Sequence, residues 1–289
     1  MHRLPSILVF NNQNRIITLF FHNYEFLFHF IAILLIHAML HIMNENTYSI
    51  IGDFHTHTLV SQHAYSTIGE LVEASIKRGF QAIAITDHGP EMLDGAISHH
   101  FLCMDALPRT VGGIRLYRGA EVNIKTFSGR IDLPDSILRN LDFTIASFHI
   151  EAIIPGSEDD HTAAWLAVVR NPYVDCMGHA GNPLYPFDHE QVIKEVKKQG
   201  KTMEINANSF LVRKGSEENC AHLIRLCKAY EVPVMVNSDA HNTWTIGEVT
   251  PALKLLEQED FPPELILNHT FEGICSFIQR RKGEKQQAL

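Results

Sequence analysis

The chain has 289 residues, with 24 Lys plus Arg against 33 Asp plus Glu, a formal net charge of −9. With 45% apolar and 20% charged residues it is long enough to bury a sizeable core, which excludes a chain disordered throughout. The acidic balance, without any Lys/Arg block, argues against a general binder of nucleic acid or of anionic membrane surfaces. The five cysteines (Cys103, Cys176, Cys220, Cys227 and Cys275) are odd in number and form no CxxC pair. They argue against a disulfide framework and fit a reducing cytoplasm. Histidine is the outlier, with 18 residues, so their placement carries the reading.

Residues 1–42 differ from the rest. Ile16 to Ile42 is dense in Phe, Ile and Leu but is interrupted by His22, Asn23, Glu25, His29, His37 and His41. Its cleanest window, Phe26–Ile42, sits at the lower limit of a membrane span, about 17 residues. No small-residue cleavage site follows it, and Arg3 and Arg15 make a thin basic flank for a secretory signal. Two readings stay open. Met43 is the true start and the segment is upstream sequence, leaving a cytoplasmic protein, or residues 16–42 anchor the protein to a membrane. The domain proper is taken as residues 43–289.

From Ser49 onward short apolar runs alternate with helical stretches. The runs are Ile50–Phe54, Ala82–Thr86, Ile114–Ala120, Phe143–Phe148, Val174–Gly178, Thr202–Asn206 and Val232–Asn237. Thr67-x-x-Glu70 and Asp188-x-x-Gln191 read as capping boxes, and Ser216 followed by Glu217 and Glu218 as an N-cap with an acidic first turn. Gly79 and Gly200 stand where two of the helices should stop. Cys220, Leu223, Ile224 and Cys227 recur at helical spacing, so these cysteines read as core. Strands apolar throughout and alternating with helices indicate a parallel sheet covered outside. Seven such units without a dinucleotide glycine fingerprint point to an α/β barrel rather than an open sheet.

In βα barrels chemistry gathers just past the C-terminal end of each strand. Those positions hold Asp53, His55 and His57, with His63 close behind; Asp87 and His88; Glu121; His149; His179; Glu204, Asn206 and Asn208; and Asp239 and His241. A lone His at a strand end is more often a hydrogen-bonded structural residue than a ligand. His-x-His on one strand is better evidence, because alternate residues face the same side. So many such groups aimed at one pocket indicate a multinuclear metal site, and imidazoles with few carboxylates suit Zn, Mn or Fe better than Mg or Ca. His99 and His100 read as solvated loop residues. His161, His189, His222 and His269 read as surface positions on or near helices.

Taken together, Asp53-Phe-His-Thr-His57, Ile85-Thr-Asp-His-Gly-Pro90, Gly119-Ala-Glu-Val-Asn123, Phe148-His149, Gly178-His-Ala-Gly-Asn-Pro183 and Ser238-Asp-Ala-His241 resemble the PHP (polymerase and histidinol phosphatase) superfamily. The likeness is nearest to its stand-alone bacterial YcdX-type phosphatases. Asn208-Ser-Phe-Leu and Arg213-Lys-Gly-Ser-Glu217 add to the subgroup match, which runs from about Ile51 to about Phe277. The resemblance implies a distorted (β/α)7 barrel with a trinuclear site, usually of zinc, at the C-terminal ends of the strands. His55, His57 and Asp239 would bind one ion; His63, His88 and His241 a second; His149 and His179 a third. Glu121 would bridge the first and third. Gly178-His-Ala180 stands where relatives often have Ser-His-Pro, a change expected to alter the turn more than the ligand.

Three divalent cations among few carboxylates would make a positive pocket floor that attracts phosphate and acidifies a bound water. The reaction implied is hydrolysis of a small phosphomonoester by metal-activated hydroxide, with Asp239 as ligand and candidate proton carrier. Arg213 and Lys214 are candidate substrate contacts, Asn206 and Asn208 candidates to orient a ligand or water. Asp53 and Asp87 are candidate partners that fix imidazole tautomers. Rival readings are an amidohydrolase-like hydrolase, disfavoured because Glu121 and not a lysine sits at the bridging position; a histidinol-phosphate phosphatase; a nuclease-like phosphoesterase; and a catalytically silent metal-binding module. A homo-oligomer stays open.

Overall fold

The protein is described here by a computed structural model, over residues 6–10, 16–20, 28–33 and 48–288. It forms two compact units, Met1–Thr47 and Tyr48–Leu289. In the first, Ser6–Phe10 pairs antiparallel with Ile16–Phe20, and residues 28–33 are helical. Ile16–Phe20, where the candidate anchor was read to begin, is therefore strand. The remainder of the Phe26–Ile42 window lies outside the described residues. Among the described residues no helix is long and apolar enough to cross a membrane.

The second unit is built on seven parallel strands: β1 (Gly52–Asp53), β2 (Ala82–Ile85), β3 (Ile114–Asn123), β4 (Phe143–Ser147), β5 (Cys176–Met177), β6 (Thr202–Asn206) and β7 (Val234–Asn237). Each pairs with its neighbours in chain order, as consecutive βα units do. Every barrel strand falls within or overlaps one of the seven apolar runs. β1 and β5 are shorter than their runs, and β3 extends past Ala120 to carry Glu121 and Asn123 inside the ladder.

The β1–β7 seam is where the barrel is distorted. At the top it closes through a parallel bridge between Thr56 and Ala240, with the His57 N–H donating to the Ala240 carbonyl at 2.8 Å. Lower down, Asn268 does the work of a missing strand. Its Nδ2 donates to the carbonyls of Gly52 (2.8 Å) and Val236 (2.6 Å), and its Oδ1 accepts from the Val236 N–H. One amide side chain thus satisfies backbone groups that the open seam would orphan.

Outside the barrel lie α1 (Ile68–Lys77), α2 (Glu158–Arg170), α3 (His189–Lys198), α4 (Ser216–Tyr230) and α5 (Thr250–Gln258). Thr67 and Glu70 form the full capping box of α1. Asp188 caps α3 through the Gln191 N–H, without the reciprocal bond. Gly79 and Gly200 follow α1 and α3 with φ of 74° and 60°. Ser216 is not an N-cap: Gly215, at φ 93°, takes that place and Ser216 is the first helical residue. Cys220 and Cys227 are buried in the core. The last helix, α6 (Phe271–Gln287), closes the N-terminal end of the barrel, packing Ile274, Phe277 and Ile278 against Phe54, Phe143 and Met235.

Candidate metal centre

The C-terminal strand ends converge on Glu121, which is fully buried. His88 Nδ1 lies 2.8 Å and His55 Nε2 3.2 Å from its Oε2. His179 Nε2 lies 3.0 Å and His149 Nε2 3.4 Å from its Oε1. On the opposite side Asp239 Oδ1 is 3.2 Å from His57 Nε2 and 3.5 Å from His55 Nε2. His63 and His241 face each other with their Nε2 atoms 2.9 Å apart, and His149 and His179 do the same at 3.1 Å.

The outer nitrogen of four of these rings is fixed by an acceptor. His55 Nδ1 faces Glu204 Oε1 at 2.7 Å, His63 Nδ1 faces Asp94 Oδ2 at 2.7 Å, and His241 Nδ1 faces the Asp239 carbonyl at 2.9 Å. His149 Nδ1 meets Asn123 Oδ1 at 2.7 Å, and the Asn123 amide is oriented by donating to Asp132 Oδ2 and the Gly89 carbonyl. Each acceptor places the proton on Nδ1 and leaves a lone pair on Nε2 aimed inward. Lone pairs converging at such distances repel one another unless a cation lies between them.

His55 Nε2, both ring nitrogens of His57, His88 Nδ1 and Glu121 Oε2 are buried without an aligned hydrogen-bond partner. Such atoms are costly to bury unless something satisfies them. Ligand nitrogens about 2.0–2.1 Å from a tetrahedral zinc stand about 3.3 Å apart, and the separations above straddle that value. Among the described residues, three groups have ligand atoms close enough to share an ion: His57, His88 and His241; His55, His57 and Asp239; and His88, Glu121 and His149. The donor set therefore fits divalent metal.

Electrostatics differ from ring to ring: burial acts downward on His55, but Glu204, Glu121 and Asp239 outweigh it and raise it well above the usual imidazole range. Burial pushes His57 well below the usual imidazole range, and the neighbouring His88 and His241 push it further. Burial, with Arg213 adding to it, brings His179 down to about 4. Both are thus neutral at physiological pH, the form in which an imidazole can offer a lone pair to a metal. For Asp239 burial acts upward, but His55, His57, His241 and Arg213 outweigh it and hold the carboxyl well below the carboxylate range. An acid held so firmly ionised suits a metal ligand better than a proton carrier. Two of the clustered residues adopt positive φ, His179 at 27° and Asp239 at 55°, a strain typical of sites whose surroundings over-determine them. A Cβ at Gly178 would meet the Ser147 hydroxyl and the Ile145 side chain, so the glycine matches the side chains on the neighbouring strand.

Several residues take other places than the sequence reading gave them. Asp53 contacts no imidazole; its carboxylate accepts from the Ser238 N–H, the Ser238 hydroxyl and the Gly247 N–H, holding the turn that presents Asp239. Asp87 accepts from the Thr58 N–H, the Thr58 hydroxyl and the Ser61 hydroxyl, fixing the loop that leads to His63. The imidazole beside Asp87 is His100, 3.2 Å away and only part-exposed, not a solvated loop residue. Asn206 is buried and engaged with Glu204, Asp239 and Ser209, so it braces Asp239 and is not free for substrate. Asn208 precedes a short helix, Ser209–Val212, without capping it. His161 is buried between the Gly156 N–H and the Pro186 carbonyl, not on the surface. The residues that do hold imidazoles are Glu204, Asp94 and Asn123. Glu204 stood among the strand ends without an assigned role; Asp94 lies in a loop and carried no spacing signal.

Arg213 places Nη1 3.1 Å from Ser209 Oγ and 3.6 Å from Asp239 Oδ2. With His149 and Lys214 it lines a cavity of about 420 Å³ that opens beside the cluster.

Residues 53–284 match the family model for the PHP domain. A probable phosphatase of Caldicellulosiruptor bescii is 44% identical over 225 residues, covering 78% of this chain and 94% of the relative. Another, of Acetivibrio thermocellus, is 43% identical over 230 residues, covering 80% and 95%. Among solved structures, the histidinol phosphate phosphatase of Lactococcus lactis, complexed with zinc, L-histidinol and phosphate, superposes with a TM-score of 0.51 at 16% identity, covering 73% of this chain and 94% of that one; this likeness concerns the fold. A nearly closed parallel barrel with metal-competent clusters at its strand ends and a family match across the whole barrel lead to one conclusion: the chain belongs to the PHP domain family.

Proposed function

We propose that the chain is a metal-dependent phosphatase that hydrolyses a small phosphomonoester at three divalent ions, zinc above manganese or iron. His55, His57 and Asp239 would hold one ion, His63, His88 and His241 a second, and His149 and His179 the third, with Glu121 shared. His88 Nδ1 sits 2.8 Å from Glu121, so it is placed to serve either of two neighbouring ions. The observation that carries the reading is the set of inward-facing, unpartnered buried ring nitrogens around one buried carboxylate. The naming of the 44%-identical relative as a probable phosphatase supports it.

When bound, such ions supply Lewis-acid polarisation of the ester and a water acidified toward neutral pH. The chain's own residues do the rest. Glu204, Asp94, Asn123 and the Asp239 carbonyl keep four imidazoles in one tautomer and orientation. Asp239 stays ionised. Arg213, reaching the inner end of the cavity, offers a guanidinium fork to phosphoryl oxygens. Lys214 stands further out on the same wall.

The test is p-nitrophenyl phosphate hydrolysis by the full chain, as purified, after chelation, and after zinc or manganese is returned. Activity lost on chelation, restored by metal and absent in His179→Ala supports the reading. A folded, metal-loaded chain without turnover refutes it.

A further inference from the structure

The cavity beside the cluster begins at His149 and Arg213, but its outer walls are of another kind. Ile150, Pro183, Leu184 and Val212 line it, over a floor made by Phe148 and Tyr185. Those two rings stack at 4.6 Å, 6° from parallel, and Tyr185 is pinned by its hydroxyl to the Ile153 carbonyl. The floor is therefore rigid and apolar. The walls come from the loops after β4, β5 and β6, the same strand ends that deliver His149, His179 and Glu204.

Ile150 (51%), Leu184 (58%) and Val212 (62%) stay exposed at the mouth of a cavity whose inner end is polar. Loops that face water have no folding reason to gather aliphatic side chains around one opening, and contiguous exposed apolar surface marks a contact for something else. A cavity of about 420 Å³ lies in the range that encloses a small organic ligand. One charge sign does not dominate the rim, since Glu151 stands with Lys214; the apolar wall is its distinguishing feature.

Resting on the phosphatase reading above, we infer that the organic part of the substrate is an apolar or aromatic group of about one ring, seated against Ile150, Leu184 and Val212. The phosphoryl end lies inward at Arg213 and the metal cluster. Polyhydroxylated esters such as sugar phosphates are the disfavoured class, because the wall offers their hydroxyls few partners and a desolvated, unpaired hydroxyl weakens binding.

The experiment compares benzyl phosphate with glycerol 3-phosphate, which release alcohols of similar reactivity, using the metal-loaded full chain. Benzylphosphonate and methylphosphonate serve as non-hydrolysable probes in calorimetry. We expect kcat/KM for benzyl phosphate to exceed that for the glycerol ester by about tenfold or more, chiefly through KM, and a similar preference for benzylphosphonate, a scale set by small apolar groups in matched pockets. Leu184→Asp and Val212→Asp, at exposed positions, should collapse both preferences while leaving melting temperature and metal content unchanged. Equal binding of the two phosphonates, or a preference unmoved by either substitution, overturns the inference. Benzylphosphonate selectivity without turnover of any monoester would retain the pocket and refute the hydrolytic reading instead.

Discussion

The two ends of the barrel both bury charge, and they treat it in opposite ways. At the N-terminal end Asp175 is fully buried, yet it accepts from Arg281 Nε at 2.9 Å, Lys285 Nζ at 2.6 Å and the Thr144 N–H at 2.9 Å. Asp142 beside it accepts from Arg109, Arg118 and Lys282. Each carboxylate there meets a cation carried by the chain. At the C-terminal end Glu121 and Asp239 are buried as well, but the arginine beside them, Arg213, stands 3.6 Å from Asp239, and His55 Nε2, both His57 nitrogens and His88 Nδ1 lack aligned partners. The lesson is that burial of polar groups does not by itself mark a site. A network closed by its own side chains is architecture, and one left open toward a common centre is able to take cations from outside.

Chelation should abolish hydrolysis and lower the melting temperature, since a ligand at a thousand times its Kd stabilises by about 4 kcal/mol per site. Calorimetry with and without zinc measures it. Asp175→Ala should destabilise by about 3–5 kcal/mol, because buried Lys285 loses its carboxylate partner and Arg281 keeps only Glu284, while metal content in the folded fraction stays unchanged. Urea denaturation and metal analysis together separate the two ends.

Glu204→Gln should act at the other end. It weakens the acceptor of His55 Nδ1 without emptying space, and loss of such a partner lowers metal affinity or activity by about 10–100-fold. Competition against a chromogenic chelator reads the affinity directly. The smallest effect concerns acid. For Asp142 burial acts upward, but Lys282 and Arg118 outweigh it and bring its pKa down to about 2. A depressed carboxyl contributes stability that is present above its unfolded value, about 3.9, and is lost as pH falls through about 2. The contribution is about 2 kcal/mol at most. In chelated protein, Asp142→Asn should flatten the pH dependence of unfolding between about pH 4 and 2. If the slope persists there, other carboxylates carry the acid sensitivity.

The barrel was legible because its strands are apolar throughout and its polar residues sit just beyond them. That rule of strand ends located each cluster residue from His55 to His241, and the match to a known family then grouped them. What resisted reading has physical reasons. The bonds that orient imidazoles depend on distant partners: Asp94 reaches His63 from a loop, and Asn123 reaches His149 only because Asp132 turns its amide. Asp87, next to His88, points instead at Thr58, Ser61 and His100, since adjacent residues on a strand face opposite sides, and Asp53, two residues before His55, is taken up by Ser238 and Gly247 from far along the chain. Asn268, which closes the seam, lies far along the chain from both strands it joins. His161 lies on an amphipathic helix whose buried face becomes known only once Phe148 and Tyr185 are in place.

The central claim is that the C-terminal cluster is a multinuclear metal centre, and metal analysis of the full chain tests it most directly. Protein purified without added metal, then exchanged into zinc and freed of excess, should carry more than one ion per chain, and about three if the proposed ligand sets are right. His149→Ala combined with His179→Ala should lower that number by about one while the fold is kept. A folded chain that takes up no zinc, manganese or iron, or whose uptake is indifferent to loss of these histidines, would contradict the account.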